Sequence, residues 1–159
     1  MTFNTEQVLQ ALEQVTDPEI PTVSLVDLGI ITGIDCQEDS IHVIMTPTFV
    51  GCPAIEVMKQ GVEEVLQTFT KNGKVSVNYD IPWDSNRVTE KGRKALKDFG
   101  LAPPPKYDMV LNLDILHTVS CPYCNSHNTI LQTPFGPTLC RSIHYCNSCL
   151  QAFEQFKPV

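Results

Sequence analysis

The apolar positions change period several times along the first hundred residues, and each change marks an element. Val8, Leu12 and Val15 recur at spacings of four and three, one face of a helix that Asn4 or Thr5 can cap. Asp17-Pro18 ends it, because a residue preceding proline is driven out of the helical region. The stretch DPEIPTVSLVDLG has no regular period and reads as an irregular crossing segment. Residues 30–36 (IITGIDC) and Ile41–Met45 are short β-rich runs, and the polar QEDS between them supplies a turn, so a hairpin is expected. Helical spacing then returns in Ile55, Met58, Val62, Val65, Leu66 and Phe69. It predicts a second helix that begins at Pro53, where the missing N–H costs nothing, and runs to about residue 69. Asn72-Gly73 closes that helix, VSVNY (residues 75–79) forms a third strand, and Thr89-Glu90 opens a shorter helix with Gly100 as its C-terminal cap. The order αββαβα predicts an α+β fold, a small mixed-sheet α/β sandwich of about a hundred residues.

LAPPPKYD interrupts this pattern. Three consecutive prolines continue neither a helix nor a central strand, and they favour an extended, semi-rigid spacer. The chain therefore divides into an α+β domain over residues 1–100, a Pro-rich linker over 101–115, and a cysteine-rich tail over 116–159.

In the tail, Cys121-Pro-Tyr-Cys124 and Cys146-Asn-Ser-Cys149 are two C-x-x-C units separated by 21 residues. Each offers two sulfurs about one ion's width apart, and the β-rich TILQT and LCRSIHY between them can bring the two turns together, with QAFEQF as a third strand. The four thiolates suit tetrahedral Zn²⁺, and the pattern is that of a zinc ribbon. Size argues the same way, since about forty residues rarely bury enough apolar surface to fold without a staple. An iron–sulfur cluster uses the same ligand set, and a pair of redox dithiols is the other alternative. Cys140 is expected in a strand facing the ribbon core, either as a small buried hydrophobe or as a spare thiol that receives or relays metal. His117, His127 and His144 are expected as polar strand or turn residues, because four cysteines already complete the site.

Charge and composition narrow the function classes. The chain has 159 residues, 42% hydrophobic and 18% charged, as in a globular soluble protein. No apolar run approaches the length of a bilayer span, and MTFNTEQVLQ lacks the basic start and apolar core of a secretory signal, so a cytoplasmic location is expected. The formal net charge is −7, with residues 1–100 carrying 8 Lys/Arg and 15 Asp/Glu. Phosphate backbones would be repelled, and neither nucleic acid nor membrane is an expected partner. Seven cysteines in a reducing compartment point to metal or thiol chemistry, not to structural disulfides.

Cys52 stands apart from the tail, between Gly51 and Pro53 at the expected start of the second helix. A thiolate there would meet free backbone N–H groups and the positive helix end. The dipole alone, at roughly 0.3–1 kcal/mol, lowers a pKa by less than one unit, so direct N–H···S bonds must add the rest. A quiet capping thiol and a functional one are both consistent with this position. Asp17 and Glu19 can serve as a hard ligand pair or as acid and base, or else simply terminate the helix by bonding local N–H groups. Thr46 and Thr48 flank Pro47 as turn formers.

TDPEIPTVSLVDLGIITGI followed by TPTFVGCPAIEVM resembles the SufT-like iron–sulfur assembly domain family. With the tail CPYC…FGPTLC…CNSC and the ending FEQFK, nearly the whole chain resembles the PaaD family, accessory proteins of the bacterial phenylacetyl-CoA epoxidase in phenylacetate catabolism. The matching positions are Asp17, Pro18, Glu19, Thr46, Cys52, Pro53 and the five tail cysteines. The resemblance implies a non-catalytic maturation factor that helps to assemble or maintain the di-iron or iron–sulfur centre of that oxygenase. Cys52 would be the functional thiol, with Asp17, Glu19 and Thr46 around it, and iron or a cluster would be its transient cargo. The implied partners are the oxygenase subunits and iron–sulfur assembly proteins, and homodimerisation stays open. A second function remains beside this one: an electron-transfer or structural subunit whose tail holds an iron–sulfur cluster.

Overall fold

The computed structural model describes residues 3–107, 117 and 119–158; residues 108–116 and 118, within the expected linker and the start of the ribbon, lie outside the described part. The chain forms two compact units, residues 1–83 and 84–159.

In the first unit, α1 (Thr5–Leu12) is capped by the Asn4 side chain, which accepts from the Glu6 N–H, and it buries Val8 and Leu12. β1 (Ile31–Cys36) and β2 (Ile41–Met45) pair antiparallel as the expected hairpin, and β3 (Gly73–Val77) pairs parallel to β2. The sheet order is β1-β2-β3, so β2 is central, and its side chains alternate between buried and half-buried. Ile41, Val43 and Met45 point to the buried face. α2 (Ile55–Gln67) joins β2 to β3 as the crossover of a parallel βαβ unit and buries Ile55, Met58, Val62, Val65 and Leu66 of the stripe read from the sequence, while Phe69, the sixth member, lies past its end and is half-buried. Its packing on β3 is close enough that a Cβ on Gly73 would lie 2.7 Å from Leu66 Cβ, which is why a residue without a side chain starts this strand.

Two expectations at the ends of these elements are corrected. α2 begins at Ile55 with Ala54 as N-cap, because Pro53 and Ala54 close a turn in which the Ile55 N–H reaches back to the Cys52 carbonyl at 3.3 Å. α1 stops at Leu12, well before Asp17, and residues 13–16 lead into an isolated bridge between Thr16 and Ser24.

In the second unit, α3 (Glu90–Phe99) starts at a Thr89 cap and ends at Gly100, whose φ of 94° is the left-handed conformation that glycine adopts freely. The next two residues form β4 (Leu101–Ala102), which pairs parallel to β7 (Gln151–Phe156). β5 (Thr129–Thr133) and β6 (Arg141–Cys146) complete a four-stranded sheet in the order β4-β7-β6-β5. Residues 84–100, read as part of the first domain in the sequence, thus lie in the same unit as the ribbon, and Leu101–Ala102, read as spacer, is a sheet edge. The fold is a mixed-sheet α/β unit with a C-terminal zinc ribbon. Among the described residues no helix is long and apolar enough to cross a membrane.

Candidate functional site

Two clusters of chemistry stand out, one in each unit. In the ribbon, the Sγ atoms of Cys121, Cys124, Cys146 and Cys149 all lie within 4.8 Å of one another. Cys121 and Cys149 are 3.7 Å apart, and Cys124 and Cys146 are 3.6 Å apart. A tetrahedral ion with metal–sulfur bonds of about 2.3 Å requires sulfur–sulfur edges of about 3.8 Å, so the donor set fits one zinc ion. An iron–sulfur cluster places more than one metal and bridging sulfide between its thiolates and spreads them farther. Local backbone builds each half of the site: the Asn125 N–H closes the first knuckle on the Cys121 carbonyl, and the Leu150 N–H closes the second on Cys146, both at 2.9 Å. Asn125 and Leu150 occupy positive φ there. N–H groups of Cys149 and Ser148 aimed at the Cys146 sulfur hold its pKa down to about 6, whereas burial and the neighbouring sulfurs push Cys149 up to about 12, so without a metal the close-set thiols cannot all ionise. Zinc bound by these residues cross-links the two knuckles and stabilises the folded ribbon.

The remaining tail residues stay apart from this centre. Cys140 lies in the turn before β6, not in a strand as the alternation suggested, because the bend at Phe135-Gly136-Pro137 extends to Arg141, whose carbonyl accepts from Gly136 at 2.9 Å. Its thiol sits 3.1 Å from the Thr138 hydroxyl, outside the four-thiolate group. His144 is fully buried, stacked on Phe153 with ring centroids 5.4 Å apart, and its Nε2 lies 2.9 Å from the Ser142 hydroxyl. Burial pushes its pKa down, and it is a core residue of the ribbon.

The second cluster surrounds Cys52. Parallel pairing of β2 with β3 brings the loops that follow both strands out at one end of the sheet, and the start of α2 stands at the same end. That is where open parallel sheets place their ligands. Gly51, at φ 85° with open space around it, lets the loop turn and present the next residue. Cys52 is half-buried, two residues ahead of the N-cap. The expected N–H contacts exist, from Ala54 and Ile55, yet they do not win: burial raises the thiol above its ordinary 9.0, and Asp17 and Glu19 add to the rise electrostatically. Burial and the nearby carboxylates thus favour the neutral thiol of Cys52 over the thiolate.

The charges of Asp17 and Glu19 thus act on Cys52 across 35 residues of sequence, although among the described residues only the four ribbon cysteines bring their ligand atoms together as a metal-binding group. Asp17 Oδ1 accepts from the N–H groups of Glu19 at 2.7 Å and Ile20 at 3.1 Å, which folds the DPE turn around it. Asp17 therefore has a structural task as well as its electrostatic effect on the thiol. Thr46 is buried; its hydroxyl lies 3.0 Å from that of Thr32, and its N–H donates to the Ile30 carbonyl at 2.8 Å. These bonds set it at the base of the loop that carries Cys52. Ser24 and Asp27 were missed in the sequence. The Ser24 hydroxyl donates to Asp27 Oδ2 at 2.9 Å and accepts from the Asp27 N–H at 3.0 Å, pinning the crossing segment behind the DPE turn. The spacing S-x-x-D, a relative of the helix capping box, is the signal that marks them.

Known proteins match along the same division. The family model described as an iron–sulfur cluster assembly protein matches residues 5–78, and the one described as the PaaD zinc beta ribbon domain matches residues 112–157. Over 157 residues the chain is 32% identical to a putative 1,2-phenylacetyl-CoA epoxidase subunit of Escherichia coli, covering 96% of this chain and 92% of the relative. It is 33% identical over 94 residues to the Fe-S protein maturation auxiliary factor YitW of Bacillus subtilis, covering 57% of this chain and 91% of that protein. Among solved structures, a DUF59 domain from Bacillus anthracis superposes with a TM-score of 0.53 at 29% identity, covering 57% of this chain and 89% of that one.

Proposed function

Because the chain belongs to the PaaD family, together with the epoxidase relative from Escherichia coli, we propose that it is a cytoplasmic, non-catalytic accessory protein of a phenylacetyl-CoA epoxidase. On this reading it assembles or maintains the di-iron or iron–sulfur centre of that oxygenase. The observation that carries the proposal is the placement of Cys52 at the open end of the sheet, under the charges of Asp17 and Glu19, in the unit that matches the iron–sulfur assembly family. A soft sulfur as the ligand, with negative charge nearby to attract a cation, suits a borderline ion such as ferrous iron. The raised pKa fits a carrier that holds its cargo briefly: Cys52 stays protonated when empty, gives up its proton as the cation binds, and takes one back on release. Thr46 supports the loop, the zinc ribbon adds a rigid metal-stapled module, and Cys140 has no part in the transfer.

The reading is tested in cells that depend on the epoxidase. Deleting this protein is expected to lower epoxidase turnover, the wild-type chain to restore it, and Cys52→Ser to restore it poorly although folded and zinc-loaded. Full restoration by Cys52→Ser would contradict the proposal.

A further inference from the structure

The end of the first unit that carries Cys52 also carries large apolar side chains that the core does not use. Val50 is 79% exposed in the loop after β2, Tyr79 and Ile81 are 52% and 62% exposed in the loop after β3, and Val57 is 59% exposed in the first turn of α2. Scattered single exposures need no explanation, but four gathered at one end of a small unit do. They are not the tips of slack loops. The Asn78 N–H donates to the Met45 carbonyl at 2.8 Å, Asn78 Oδ1 accepts from the Asp80 N–H at 2.7 Å, and the buried Trp83 indole donates to the Leu28 carbonyl at 2.9 Å. Tyr79 and Ile81 are therefore presented on a segment fastened at both ends, at little further entropic cost on binding.

Charge indicates what covers them. Residues 1–83 carry 12 Asp/Glu against 3 Lys/Arg. Glu56 and Asp80 lie on the same helix turn and loop as the apolar residues, and the charges of Asp17 and Glu19, on the DPE turn, act on Cys52. An apolar centre within an acidic rim is the layout of a protein interface, with bulky side chains inside and screened charges at the edge. An anionic lipid surface would be repelled by that rim.

Building on the reading of Cys52 as a cargo-handling thiol, we infer that this end of the unit is a protein-docking face. Its occupant is the client oxygenase, through a surface with an apolar centre and a basic rim. Val50, Val57, Tyr79 and Ile81 form the contact that brings the client's metal ligands to Cys52. Docking then excludes water from the thiol during transfer, and specificity for the client resides in the same unit as the chemistry.

The test uses the full chain and the purified remaining subunits of the epoxidase as the probe. The Val50→Asp/Ile81→Asp double variant is expected to bind them at least about tenfold more weakly than the wild type, as loss of central interface residues does. Its thermal unfolding should stay unchanged. Wild-type binding should weaken as salt rises, and Cys52→Ser should bind normally, which separates docking from cargo handling. Phe135→Asp and Leu139→Asp, at exposed positions of the ribbon hairpin, are the controls. Three results overturn the inference: unchanged affinity of the double variant, loss of binding only in the ribbon controls, or wild-type binding to phosphatidylglycerol vesicles in place of the subunits. Any of these leaves the role of Cys52 to stand or fall on its own variant.

Discussion

At Cys52, opposing effects act on one sulfur, and their balance sets its state. Backbone N–H groups at the helix entrance favour the thiolate, but burial and the nearby charges of Asp17 and Glu19 favour the thiol. Removing those charges should reverse part of the rise. In an Asp17→Asn/Glu19→Gln variant the DPE turn keeps its acceptor, because an asparagine oxygen can receive the same two N–H bonds. The pKa of Cys52 is then expected to fall toward its ordinary value. Site-resolved alkylation at pH 8 should run faster than in the wild type, and an equal or slower rate would show that the carboxylates do not act on the thiol. Residue patterns marked Cys52, Asp17 and Glu19 as separate candidates, and only the family resemblance put them around one site. Local rules could not relate them, because their relation depends on the Thr16–Ser24 bridge and on β2–β3 pairing, both set by contacts between distant segments.

Among the elements, those governed by local rules were read correctly. The stripe of α2, the Asn4 and Thr89 caps, and the Gly100 terminator each depend on a few neighbouring residues. The two zinc knuckles are legible for the same reason, since ligand spacing is a local property. β4 was not, because a two-residue strand is defined by its partner β7 and by nothing in its own pattern. The displaced start of α2 arose from competition between two uses of Pro53, as first helical residue or as part of a turn, and the turn won. The ribbon's small core of Ala102, Val119, Cys121, Cys146 and Phe153 makes it dependent on the metal. Structural zinc contributes about 10–16 kcal/mol in comparable sites. Chelation should therefore remove hydrogen-exchange protection from β5, β6 and β7, and added zinc should restore it. Acidification should release zinc as well, because the ligand thiolates compete with protons. Ribbon amides that keep full protection after chelation would contradict a zinc-dependent fold.

At the scale of the whole molecule, charge and chemistry are divided between the units. Residues 1–83 hold the thiol, its carboxylates and most of the acidic side chains; residues 84–159 hold the metal staple and most of the basic ones. Fold class and family were legible because the motifs DPE, GCP and two C-x-x-C pairs lie in short contiguous segments. The place of α3 was not, since its amphipathic pattern specifies a buried face without naming the surface that covers it. The central claim is that Cys52 supports a metallocentre in another protein. Its most direct test is the iron content of the purified oxygenase after production with the wild-type chain, with Cys52→Ser, or without either. The account predicts high iron occupancy only with the wild type. Equal occupancy in all three preparations would contradict it.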